Sequence, residues 1–137
     1  MGRMLVVYES MFGNTERIAR AVGEGLASAV DGVPDAAVEV VEVGSAPDRI
    51  SGDVALLVAG APTHAFGLSR PSTRRDSEKS ATGPLVSAGR GLREWITSLE
   101  TDGALPGDNA VAFSRDDGRT WTRPAVIPMS TPELVEV

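Results

Sequence analysis

The sequence predicts a doubly wound α/β domain with a mostly parallel sheet, incomplete or altered at its C-terminal edge. Two continuous apolar runs, residues 4–8 and 53–59, read as parallel strands covered on both faces. An amphipathic stretch between them, residues 15–30, reads as the connecting helix. Each apolar run ends in a glycine-containing loop, which is where an open α/β sheet places its ligand. With 137 residues and 42% hydrophobic content, one core suffices for the chain.

Residues 4–8 form the first and central strand of this scheme. In 15–30, Ile18, Val22, Leu26 and Ala29 recur at helical spacing, with Glu16, Arg17, Arg20 and Glu24 on the other face and Asn14 or Thr15 as the cap. Asp31-Gly32-Val33-Pro34 breaks the helix. The β-branched, partly alternating 37–43 then suits a strand nearer a sheet edge, and 45–50 a short helical link. After the strand at 53–59, the polar stretch 64–84, with Arg70, Arg74, Arg75 and Lys79, shows no helical or strand period and is expected to be an exposed, mobile surface segment. Leu92, Trp95, Ile96 and Leu99 mark an apolar stripe from about residue 85 to 99, and 110–113 should supply the next strand. Tyr8, Trp95 and Phe113 fall in these patterns as core residues.

Residues 114–137 break the pattern, so the chain divides into 1–113 and an atypical tail. Asp116-Asp117-Gly118 signals a tight reversal that would lay 120–127 antiparallel to 110–113. Pro124 then requires an edge strand, because proline cannot donate to a ladder. The missing final helix would leave apolar surface open, giving either reduced stability or a homodimer that covers the gap.

Composition removes several function classes. A net charge of -6 and a pI near 4.7 disfavour nucleic acid and anionic membranes, while permitting a basic redox partner. No cysteine is present, which removes disulfides, iron–sulfur clusters and thiol catalysis. One histidine and no close His/Asp/Glu cluster give no expectation of a metal site. The N-terminal apolar run is too short for a signal peptide and no stretch reaches transmembrane length, so a cytoplasmic protein is the expectation.

Ser10-Met11-Phe12-Gly13-Asn14-Thr15 lies between the first strand and the first helix. The helix start supplies unpaired N–H groups and the positive end of the macrodipole; Gly13 permits close backbone approach, and Ser10, Asn14 and Thr15 add side-chain donors. Neither GxxxxGK[ST] nor GxGxxG occurs. A cradle of neutral donors suits a single terminal monophosphate rather than a triphosphate or pyrophosphate.

The string Val6-Val7-Tyr8-x-Ser10-x-x-Gly13-x-Thr15-x-x-x-Ala19-x-x-Val22 resembles the flavodoxin N-terminal signature. Gly60-Ala61-Pro62-Thr63-His64-x-Phe66-Gly67 is similar to the second FMN loop of that family, and the resemblance runs to about Phe113. It implies a flavodoxin-like fold and an FMN cofactor. Ser10, Met11, Phe12, Gly13, Asn14 and Thr15 would surround the phosphate, and Pro62, Thr63, His64, Phe66 and Gly67 would border the isoalloxazine ring. No catalytic side chain is implied, since the flavin carries the electrons. The resemblance stops at Ser114-Arg115-Asp116-Asp117-Gly118-Arg119-Thr120-Trp121, where the family has its third loop; this string instead resembles the Asp-box hairpin of sialidase-like propellers, which one copy cannot build. Three readings follow: an FMN-binding electron-transfer protein, a flavin-dependent NAD(P)H:quinone-type reductase whose arginine-rich loop receives the nicotinamide cofactor, or a defective module whose altered end prevents flavin retention.

Overall fold

The computed structural model describes residues 2–64, 67–101, 109–111 and 125–127. Its centre is a three-stranded parallel sheet ordered β2-β1-β4, from β1 (Arg3–Tyr8), β2 (Ala37–Glu42) and β4 (Val54–Gly60). Helix α1 (Asn14–Ala29) connects β1 to β2, so the expected strand–helix–strand unit is present. β1 is buried from Met4 onward, as its unbroken apolar sequence requires, and β2 alternates toward solvent as an edge strand does. β1 pairs with β4 from Arg3 opposite Val54 to Tyr8 opposite Gly60, with one register shift after Arg3. The two strands therefore end level with each other.

The pleat of β1 divides the core. Val6 and Tyr8 face α1, where they meet Ala19 with Val22 and Leu26. Leu5 and Val7 face the other way, onto Val43, Ile50, Val54, Leu92 and the fully buried Trp95. Trp95 belongs to α3 (Leu92–Ser98), so the central strand has a helix on each face. The indole N–H donates to the Pro47 carbonyl at 2.8 Å, satisfying its polar atom inside the core.

Four local expectations are corrected. Residues 45–50 are not a helical link: a 3₁₀ turn spans Val43–Ser45, and β3 (Arg49–Ile50) then pairs in parallel with β5 (Glu100–Thr101). Arg90 holds this segment through the Val43 and Ala46 carbonyls and Asp48, contacts that replace a helical ladder. The 64–84 segment contains α2 (Pro71–Ser80), with Pro71 in its first turn. Thr73 Oγ1 accepts from Arg70 N at 2.9 Å, supplying the cap. The apolar stripe at 85–99 is helical only from Leu92, because Val86 and Ser87 donate their N–H groups to Met11 and Ser10 instead.

The fourth correction concerns the far edge of the sheet. β6 (Asn109–Val111), expected as the next strand of the sheet, pairs with β7 (Ala125–Ile127) in a two-stranded sheet that is separate from β2-β1-β4 among the described residues. The pairing is antiparallel, with Ala110 opposite Val126, as the reversal read in the sequence requires, and the described part of β7 starts after Pro124. Phe113, the turn at 116–118 and most of the 114–137 tail lie outside the described residues. Among the described residues no helix is long and apolar enough to cross a membrane.

Candidate functional site

The level ends of β1 and β4 bring together two loops some fifty residues apart in sequence. Glu9 N donates to the Gly60 carbonyl at 2.9 Å, extending the ladder by one bond. A Cβ on Gly60 would stand 3.8 Å from the Thr15 methyl, so the second loop leaves β4 directly beside the start of α1. Thr15, at the start of α1, is thereby placed beside Gly60, where the second loop begins.

Gly13 is the N-cap of α1, where Asn14 or Thr15 was expected. Its φ of 94° lies in the left-handed region and a Cβ would meet nothing within 4 Å, so glycine is required here by backbone conformation, with open space beside it. Among the described residues no side chain caps the first turn, so the N–H groups of Asn14, Thr15 and Glu16 end the helix without an internal partner. Ser10 is buried and its Oγ accepts from Gly13 N at 3.1 Å, closing the loop on itself. Met11 is core rather than lining, Phe12 is 61% exposed, and the Asn14 amide oxygen accepts from Arg17.

Val86 and Ser87 run along the loop and fix it. Val86 N donates to Met11 O at 3.1 Å, Ser87 N to Ser10 O at 2.8 Å, and Ser10 N to Ser87 Oγ at 2.9 Å. A cleft of about 290 Å³ lies on this segment, between α2 and residues 84–89, lined by Pro71, Arg74, Arg75, Leu85 and Ser87. It is adjacent to the β1–α1 loop rather than over it. The candidate site is an open edge formed by loops, not this cleft.

In the second loop, His64 and Gly67 exchange two backbone hydrogen bonds at 2.7 and 3.0 Å; Ala65 and Phe66 lie outside the described residues. His64 Nδ1 stands 3.0 Å from Thr73 Oγ1, which ties the loop to the first turn of α2. The expected exposure of Arg70, Arg74, Arg75 and Lys79 fails for Arg74, whose side chain is 11% exposed. Its guanidinium donates to both oxygens of Glu94 and to Ser69 Oγ at 2.9 Å.

Arg74 leads to a group that sequence patterning missed. Glu9, directly after β1, is completely buried. Its Oε2 accepts from Leu92 N at 3.0 Å at the start of α3, its Oε1 accepts from the Ser69 hydroxyl, and Arg74 Nη1 lies 4.0 Å away. The sequence signal was a lone carboxylate closing an apolar strand, where only a buried cation or backbone donors could make it tolerable.

Tyr8 and Glu94 are the perturbed titrating groups around these loops. Burial pushes the Tyr8 phenol up, helped by its 2.6 Å hydrogen bond to Glu16. Burial acts to raise Glu94, but Arg74 and the backbone N–H groups of residues 91 and 94 together outweigh it and hold the carboxyl below its ordinary value. The chain matches no protein-family model, no curated protein and no solved structure.

Proposed function

We propose that this chain is an FMN-binding electron-transfer protein of the flavodoxin type, built on a doubly wound sheet. The observation that carries the reading is the meeting of the uncapped α1 start, with left-handed Gly13 in open space, and the loop that leaves β4 at Gly60. A phosphate monoester fits the first, because first-turn N–H groups and the macrodipole favour an anion and the Thr15 hydroxyl is at hand. Pro62, Thr63, His64, Phe66 and Gly67 would border the ring. When bound, FMN supplies the electron-carrying centre, and the protein contributes orientation and nearby charge.

A reductase reading needs free guanidinium groups for a nicotinamide cofactor, and of the cluster Arg70 and Arg75 remain exposed for that role. Arg74 is committed to Glu94 and Ser69, and Lys79 pairs with Asp76 at 3.1 Å. In the electron-transfer reading a protein partner or a quinone exchanges the electrons, and in the reductase reading NAD(P)H supplies them.

Titration of the purified protein with FMN, riboflavin and FAD, followed by flavin fluorescence, tests the proposal. FMN is expected to bind tightest, and Thr15→Ala to weaken FMN by about tenfold, the worth of one hydrogen bond to a charged group, while leaving riboflavin unchanged. FAD binding as tight as FMN, or an equal loss of FMN and riboflavin in Thr15→Ala, would place the phosphate elsewhere.

A further inference from the structure

Helix α2 buries none of its residues, although it follows directly on the second loop of the candidate site. An apolar face therefore does not hold it. Among the described residues its outward side-chain hydrogen bonds run through its first turn, from Thr73 to His64 and Arg70 and from Arg74 to Ser69 and Glu94, while Ser77, Lys79 and Ser80 bond within the helix. Arg74 alone among these reaches the interior. There it meets a cluster drawn from three places in the chain: Glu9 from the end of β1, Ser69 from the second loop, and Leu92 N and Glu94 from α3.

The backbone of Gly91 is pressed against this cluster. A Cβ at residue 91 would lie 2.8 Å from Ser69 Oγ and 2.9 Å from Glu9 Oε1, and would also strike Arg74 Nη1. Its φ of -96° is open to any residue, so the demand for glycine here is one of space alone. Glu9 in turn is covalently next to Ser10, the first residue of the β1–α1 loop. The chain from Arg74 through Glu9 thus connects the two loops of the candidate site.

We infer that Arg74 is a positioning residue: anchored on Glu9 and Glu94, it sets where Pro62, Thr63, His64 and Gly67 stand relative to the Ser10–Thr15 loop. This rests on the flavin reading above. Loss of the anchor frees α2 and the second loop together, while the α1 start keeps its own geometry through Ser10, Gly13 and Ser87. Ring-end affinity therefore depends on Arg74, and phosphate-end affinity does not.

The test uses the full chain with Arg74→Met, Arg74→Lys and Gly91→Ala, the last of which crowds the cluster without removing a charge. Two measurements are made: hydrogen exchange along the chain, and dissociation constants for FMN and riboflavin. In Arg74→Met, exchange in residues 71–80 is expected to rise at least tenfold with β1 and α1 unchanged. FMN and riboflavin should weaken by the same factor, fivefold or more, so that their ratio stays at the wild-type value. Arg74→Lys should recover part of the loss, and Gly91→Ala should reproduce it. A merely structural arginine would spread faster exchange through β1 and α1, and that result overturns the inference. So does unchanged riboflavin binding in Arg74→Met, or a loss confined to FMN. A wild-type chain that binds neither flavin defeats the flavin reading and the ring-end role with it; the exchange data then still decide whether Arg74 tethers α2, so the two failures are distinguishable.

Discussion

Glu94 stands on the solvent side of the Arg74 cluster, and its titration reports on that cluster. Its folded carboxyl is held below the ordinary value, so the unfolded chain takes up the proton first as pH falls. The stabilisation it gives is complete above the ordinary glutamate value of about 4.3 and is lost as pH drops through the lower folded value. With the side chain 35% exposed, screening limits the effect to about 0.2–1 kcal/mol. Urea unfolding between pH 6 and pH 3 should show wild-type stability falling more steeply than that of Glu94→Gln; parallel curves would remove Glu94 from the network. At this scale the glycine-bearing turn before α1 was legible in the sequence, although the cap falls on Gly13 rather than on Asn14 or Thr15. Glu9 left only the mark of a lone carboxylate closing an apolar strand, because its partners Ser69, Arg74 and Leu92 lie sixty or more residues away.

Helix α1 offers a paired test of packing against propensity. Gly23 is buried in the seam with β2, where a methyl would collide with the Val40 side chain, whereas Gly25 faces open space. Gly25→Ala should stabilise the protein by up to about 1 kcal/mol through helix propensity. Gly23→Ala gains the same term and meets overpacking worth about 1–3 kcal/mol, so a net loss is expected. Thermal melts of the two variants should move in opposite directions, and equal shifts would show that α1 does not seat on β2 as described. Helix α1 was readable because one of its faces is apolar; α2 was not, because a helix that buries nothing carries no apolar period. Its signals were chemical, Pro71 in the first turn and Thr73 as the capping hydroxyl.

At the scale of the whole molecule, β4 has the sequence of an interior strand and the position of an edge. Among the described residues nothing pairs with its outer side, and Leu56 is 39% exposed. A parallel edge with unpaired N–H and C=O groups and apolar side chains favours self-association. Light scattering is expected to show a mass above that of one chain, reduced toward the monomer in Leu56→Lys. A monomeric wild type at high concentration would mean that the edge is covered by the chain itself.

The sequence by itself determined the parallel β1, β2 and β4 with α1, the covering of β1 on both faces, and the glycine-bearing loop at the start of α1, because each follows from side-chain period or backbone freedom within a few residues. Only the tertiary structure decided that Arg74 turns inward to Glu9, that Val86 and Ser87 brace the loop at Ser10, and that β3 pairs with β5. Those outcomes depend on pairings between groups far apart in the chain, whose free energy is set by desolvation and geometry at the point of contact, and no local pattern encodes either.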